Sequence, residues 1–267
     1  MKNVEYKRDG AEQLLLLLLA ILLGCSPAVA SDCVEQSYPH DRTAFTQGLV
    51  FHAGELFEST GRYGGHSSVR RVELETGKVL RKHSLPADHF GEGLAWHNQV
   101  LYQLTWHNGV VLKYDPDSLE PLGSISIKGE AWGLASDGRR MIMSDGSATL
   151  RYVNPDDFST TERIQVQDKN GAVRGLNELE FVEGLLFANI NLSNQVVIID
   201  PATGKVVDRL DLGQLSNTAS SGPRQCIPNG IAYVPESGCL LVTGKNCDRL
   251  LQINVPPSHK AKKTPNQ

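Results

Sequence analysis

The chain has 267 residues, 40% of them hydrophobic and 21% charged, with a formal net charge of −4. That length holds one large domain, and the mildly negative charge supplies no basic field for nucleic acid, so that partner class is excluded. The 25 glycines and 13 prolines suit a fold with many tight turns.

Residues 1–30 read as a leader outside the fold. Lys2, Lys7 and Arg8 form a positive start diluted by Glu5, Asp9 and Glu12, and an apolar run of ten residues follows at 14–23. Ten residues are too few to span a bilayer and fit the apolar region of an export signal. Two exits remain open. Ala28-Val29-Ala30 fits a small-residue cleavage site before Ser31, whereas Leu22-Leu23-Gly24-Cys25 resembles a bacterial lipobox, which puts a lipid on Cys25. Either exit predicts export, as a periplasmic or outer-membrane lipoprotein or as a secreted protein. Membrane contact is expected only through that lipid.

From 31 to 255 one unit recurs five times. Each copy opens with a small-apolar signature: QGLVF (47–51), EGLAW (92–96), WGLAS (132–136), NELEF (177–181) and NGIAY (229–233). A polar turn and an apolar strand follow: ELFEST, VLYQLTW, RMIMSDGS, LLFANIN and CLLVTGK. A third strand comes next: SSVRRVEL, GVVLKYD, TLRYVN, QVVIID and RLLQINV. Counted at the second signature residue, the copies begin at 48, 93, 133, 178 and 230, spacings of 45, 40, 45 and 52 residues. All-strand repeats of about 40–50 residues predict the blades of a β-propeller, here an all-β, five-bladed ring.

Turn chemistry recurs at matching places in four copies: ETGK (75–78), DPD (115–117), NPDD (154–157) and DPATGK (200–205). These read as type I turns with Pro at the second position or Gly in the left-handed region. Each leads into a fourth strand: KVLRKHSL, EPLGSISI, TTERIQVQ or KVVDRLDL. The fifth copy stops at Val255 without one. The segment around residues 33–36 is expected to supply it, closing the ring without a long open edge. Residues 256–267 read as a polar, disordered tail. Past the leader remain Cys33, Cys226, Cys239 and Cys247, and their spacing leaves all three disulfide pairings open.

In this topology the lead-in to each signature and the end of the next strand share one mouth of the ring. The lead-ins bring Phe45, Gln47, Phe90, Glu92, Glu130, Trp132, Asn177, Glu178 and Asn229. The strand ends bring Thr60, Trp106, Asp145, Asn189, Asn191 and Lys245. Aromatic walls with a few convergent polar groups are the pattern of an organic-ligand site. Two segments near this mouth, 167–175 and 213–228, are longer than a blade needs, as binding loops often are.

FTQGL, YGGHSSVR, FGEGLA, LYQLTW, the EAWGL–SDGS pair, LNELE, the FAN strand, NGIAY and VTGK occur in order between residues 38 and 255. In these strings the chain resembles the plant and bacterial type of glutaminyl cyclase. The resemblance implies a five-bladed propeller and a reaction that converts an N-terminal glutamine of a peptide to pyroglutamate, releasing ammonia. It implies no required cofactor, leaving at most a structural divalent cation in the central channel. The partners implied are peptides or proteins with N-terminal glutamine. It puts the acid/base on Glu92, polar contacts on Gln47, Asn177 and Lys245, and aromatic contacts on Phe45, Phe90, Trp106 and Trp132. Asn177 and Lys245 are of the donor type that an oxyanion needs.

The chain departs from the family pattern at three places. Asn191 stands where the family has a tryptophan, Asn246 and Cys247 follow the VTGK strand in place of a large residue and tryptophan, and Ala131 replaces a glycine. The Asn191 change removes one aromatic wall of the binding site. Two other readings compete with the cyclase: an impaired propeller that only binds peptides, and a metal-dependent propeller hydrolase using Glu92, Asn177 and Asp145.

Overall fold

The chain divides after Ser31 into two units. The computed structural model describes residues 35–217 and 225–256, all in the second unit. The leader, Cys25, Cys33 and the C-terminal tail lie outside the described residues.

Five four-stranded antiparallel sheets form the five blades of a propeller. A short strand, β1 (Gln36–Pro39), precedes them. Blade one is β2 (Thr46–His52), β3 (Glu55–Thr60), β4 (Ser68–Val72) and β5 (Val79–Ser84). Blade two is β6 (Gly91–His97), β7 (Val100–Thr105), β8 (Val110–Tyr114) and β9 (Pro121–Ser126). Blade three is β10 (Leu134–Ser136), β11 (Met141–Met143), β12 (Thr149–Val153) and β13 (Thr160–Gln165). A two-stranded hairpin follows, β14 (Gln167–Asp168) with β15 (Gly171–Ala172), in the first of the two long segments. Blade four is β16 (Leu176–Val182), β17 (Leu185–Ile190), β18 (Gln195–Ile199) and β19 (Val206–Asp211). The second long segment opens with a one-turn helix, α1 (Gly213–Asn217). Blade five is β20 (Ile227–Val234), β21 (Cys239–Lys245) and β22 (Arg249–Asn254), completed by β1.

The closure matches the sequence expectation, shifted a few residues along: Gln36 pairs with Gln252 and Pro39 with Arg249. The N-terminal strand therefore covers the edge that the last copy leaves open.

Burial follows from each strand's place in the ring. Inner strands lie between neighbouring blades and are apolar on both faces; β21 is buried along its whole length. Fourth strands meet solvent and alternate, as β19 does. Five apolar clusters form, one in each gap between successive blades. Val50, Phe57 and Val69 of blade one meet Leu94, Leu101 and Tyr114 of blade two. Across the closure, Leu49, Leu56 and Val72 meet Ala232, Leu241 and Leu250.

The axis itself is tight. A Cβ on Gly133 would come within 1.9 Å of the Asn177 carbonyl oxygen of the next blade, so only glycine admits this approach. In blade four the same signature position is Glu178. Its carboxylate accepts N–H groups from Leu49 at 3.3 Å and Ile231 at 3.0 Å, joining blade four to blades one and five.

The inter-strand turns differ in one respect from the sequence reading. In all four, the fifth residue's N–H bonds the first residue's carbonyl: Gly77 to Glu73, Leu119 to Asp115, Phe158 to Asn154 and Gly204 to Asp200. That fifth residue has positive φ, and in blades two and three it is Leu119 or Phe158 rather than glycine. Both side chains are buried against the blade, which offsets the cost of the conformation.

Candidate active site

The residues that line the mouth are presented by irregularities in the inner strands. In β2 one extra residue sits between the pairs Thr46–Thr60 and Gly48–Ser59, and that residue is Gln47. In β6 a one-residue surplus lies between Gly91–Thr105 and Leu94–Gln103, at Glu92 and Gly93. The same surplus occurs at Asn177 and Glu178 in β16 and at Asn229 and Gly230 in β20. A bulge re-aims a side chain out of the alternating pattern. Here it frees the opening polar residues of four signatures from the inter-blade packing.

Together they form a cavity of about 350 Å³ lined by Phe45, Gln47, Phe90, Glu92, Trp106, Trp132, Asn177, Asn191 and Lys245. Every residue that the family resemblance puts in the site, and Asn191 with them, lies on this one surface. Glu92, Gln47, Asn177 and Lys245 are all less than a tenth exposed. The volume falls at the small end of ligand pockets, about 300–1,000 Å³.

The polar groups are connected. Gln47 Nε2 donates to Glu92 Oε1 at 2.7 Å. Gln47 Oε1 accepts from Asn229 Nδ2 at 3.0 Å, and Asn229 also donates to the Thr46 carbonyl. Gln47 therefore spends both ends of its amide holding Glu92. Asn177 donates to Asn191 Oδ1 over a long 3.4 Å, and its own Oδ1 is buried without a partner among the described residues. Asn191, expected at the mouth as a substrate-binding residue in place of an aromatic wall, is a polar neighbour of Asn177. Lys245 Nζ lies 5.1 Å from the centroid of the Phe45 ring.

Burial drives the electrostatics. It pushes the Glu92 carboxyl well above its ordinary pKa; Lys245 and the Gln47 hydrogen bond pull against this, and Glu130 adds to it. Burial likewise lowers Lys245, opposed by the attraction of Glu92. A carboxyl raised in this way holds a proton more readily than an exposed one, which suits a group that must both accept and return it.

Glu130 carries a role the sequence reading did not assign. Its Oε1 accepts from the indole N–H of Trp132 at 2.8 Å and from that of Trp106, so one carboxylate fixes both rings. The sequence placed Glu130 among the lead-ins at the mouth, two residues before Trp132, without indicating that it binds both indoles. Other residues of the mouth set are used elsewhere. Asp145 accepts the Ser147 N–H and lies 3.7 Å from Arg151 Nε. Asn189 accepts the Gly230 N–H, and Thr60 bonds Ser68. Glu178 works at the axis. Trp96 stacks on His52 at 3.7 Å, outside the cavity. Among the described residues there is no group of three or more His, Cys, Asp or Glu placed to hold a metal.

Residues 21–255 match the family model of glutamine cyclotransferases. The chain belongs to this family. A glutaminyl-peptide cyclotransferase of Arabidopsis thaliana is 37% identical over 227 residues, covering 83% of this chain and 70% of the relative. The crystal structure of a Myxococcus xanthus glutaminyl cyclase is also 37% identical and superposes with a TM-score of 0.76, covering 82% of this chain and 94% of that one. Membership of the glutamine cyclotransferase family accounts for the fold.

Proposed function

We propose that the protein is a glutaminyl-peptide cyclotransferase, which turns the N-terminal glutamine of peptides and proteins into pyroglutamate with loss of ammonia. The reading is carried by one observation beyond family membership: a buried Glu92 and a buried Lys245 share a small aromatic-walled cavity.

The reaction forms a bond between the substrate's α-nitrogen and its own γ-carboxamide carbon, then breaks that carbon's bond to the amide nitrogen. The amine must be neutral to attack. With an ordinary pKa of about 7.7–8.0, roughly a tenth of it is neutral at pH 7, so modest help suffices. Glu92 takes the proton that the attacking nitrogen loses and returns it to the departing ammonia. Gln47, backed by Asn229, keeps the carboxylate aimed. Lys245 and the Asn177 amide serve the oxygen that gains charge in the tetrahedral intermediate; one such donor is typically worth about 3–4 kcal/mol. The free Oδ1 of Asn177 suits an N–H of the substrate. Trp106 and Trp132, held by Glu130, confine the glutamine side chain in the folded form that ring closure requires.

Because the substrate supplies its own nucleophile and Glu92 moves the proton, the chemistry calls for no metal. A divalent cation in the central channel is structural on this reading. Export is part of the proposal, and the disulfide between Cys226 and Cys247 fits an oxidising compartment.

The test is ammonia release from a glutaminyl dipeptide amide in the presence of EDTA. Wild type should be active, and Glu92→Gln should lose about 10²–10⁴-fold in kcat, the usual worth of a positioned acid/base. Loss of wild-type activity on chelation, restored by a divalent metal, would sink the metal-free mechanism. An undiminished Glu92→Gln enzyme would remove the role of Glu92.

A further inference from the structure

A second cavity, about 510 Å³, adjoins the first and is lined by Phe45, Gly61, Arg62, Tyr63, Phe90 and Asn246. The two share Phe45 and Phe90, so only this pair of rings separates them. The rings meet edge to face with centroids 6.1 Å apart. Phe90 also contacts Trp106 at 5.6 Å and Tyr63 at 5.2 Å. A continuous aromatic row therefore runs from the glutamine cavity outward.

Tyr63 is 46% exposed. Leu80, Leu122 and Val207 are comparably exposed, but they sit on β5, β9 and β19, where blade edges meet solvent. Tyr63 instead projects from a loop that is held in place. The Ser67 hydroxyl accepts the Arg62 N–H and donates to the Arg62 carbonyl, both at 2.9 Å. The Gly64 N–H donates to the Ala87 carbonyl at 2.8 Å. A Cβ on Gly61 would approach the Phe90 ring to 2.1 Å, so glycine lets the ring lie against the loop. An exposed aromatic held by its loop beside this cavity offers an apolar face to a ligand that enters it.

Asn246 supplies an independent observation. It is 9% exposed, and its Oδ1 is buried without a partner among the described residues. Its backbone is tied by a hydrogen bond to the Ala44 carbonyl at 2.7 Å. A buried acceptor without a donor is costly, and the residue that carries this one lines a cavity that a peptide could enter.

We propose that this second cavity receives the second residue of the substrate peptide and selects an apolar or aromatic side chain there, with Asn246 Oδ1 accepting a backbone N–H of the same peptide. The inference rests on the cyclotransferase reading and names the substrate class within it. Successive residues of an extended chain advance about 3.3 Å. A peptide whose first residue fills the inner cavity must cross Phe45 and Phe90, and its next side chain then reaches the Phe90–Tyr63 pair. Arg62 on the same wall disfavours a lysine at that position.

The test compares kcat/KM for Gln-Phe-amide, Gln-Leu-amide, Gln-Gly-amide and Gln-Lys-amide. Wild type should prefer Phe and Leu over Gly by about tenfold or more, as apolar subsites do, with Lys no better than Gly. In Tyr63→Ser the Phe-to-Gly ratio should fall about tenfold, and Tyr63→Phe should keep it. Turnover of all four amides at similar kcat/KM by wild type overturns the subsite while leaving the cyclotransferase activity standing. An undiminished Phe-to-Gly ratio in Tyr63→Ser also overturns it. Turnover of none of them by the folded protein removes the activity and the subsite together.

Discussion

At the scale of single residues, the site depends on two buried ionisable groups whose burial favours the neutral form of each and whose attraction favours the charged form of each. Removing one partner should therefore displace the other in a known direction. In Lys245→Met, Glu92 loses the positive charge that lowers its pKa, and burial and Glu130 act unopposed by it. A base is active when ionised, so the part of the acid limb that belongs to Glu92, once the fixed titration of the substrate amine is divided out of the kcat/KM profile, should move to higher pH. On the proposed mechanism the rate at the plateau should fall as well, because there Lys245 also serves the developing oxyanion. A profile whose acid limb stays in place in Lys245→Met would show that Glu92 does not titrate under the influence of Lys245. Glu130 deserves a different description, since it touches neither reacting atom in this scheme. It positions the two indoles and adds negative charge near Glu92.

At the scale of elements, the strands and their order were legible because each blade must present the same apolar pattern to its neighbours. The mouth residues were legible because lead-ins and strand ends converge in any propeller. The bulges were not. A surplus residue shows only against its partner strand, and QGLVF alone does not say that Gln47 stands outside the pairing. Glu178 was misplaced for a related reason: its carboxylate works on backbone groups of two other blades, which no local pattern reveals. Disulfide pairing was equally hidden. Cys226, in the lead-in to β20, bonds Cys247, two residues past β21, across a sequence separation of 21. Cys239 is disulfide-bonded as well. The Cys226–Cys247 link closes a loop that should stabilise the fold by about 3 kcal/mol. Cys226→Ser should accordingly lower Tm by about 6–12 °C, given about 2–4 °C per kcal/mol for a domain of this size. A thermal melt under non-reducing conditions measures this, and an unchanged Tm would mean that the link constrains nothing the fold does not already hold.

At the scale of the whole molecule, the ring is held shut by an ion network next to β1 as well as by strand pairing. Glu58, buried in β3, accepts from Arg70 Nε at 2.9 Å, from Thr46 at 2.6 Å, and lies 3.1 Å from His40 Nε2. His40 Nδ1 lies 2.8 Å from the Cys247 carbonyl, and its backbone N–H donates to the Asp248 carbonyl. The network therefore ties blade one to the last turn of blade five. Burial works to raise Glu58, but Arg70 and His40 outweigh it and hold the carboxyl far below its ordinary range. Burial works to lower His40, but Glu58 and the Cys247 carbonyl outweigh it and leave the imidazole raised. The two shifts bound a pH window. The Glu58 contribution is present above the ordinary carboxylate pKa of about 4.3 and is lost as pH falls through the folded value. The His40 contribution is complete below about 6.5 and is lost as pH rises through the raised folded value. The network should thus stabilise most in mildly acidic solution. Glu58→Gln should destabilise the fold by less than the ~3–5 kcal/mol of an orphaned buried charge, because Asp41 still pairs with the Arg70 guanidinium at 2.8 Å. It should also flatten the decline on the alkaline side, since His40 then has no carboxylate to raise it. Urea denaturation of wild type and variant between pH 5 and 9 separates the two effects. Parallel curves would show that His40 stays neutral throughout and that the charged part of the closure is Arg70 with Glu58 and Asp41.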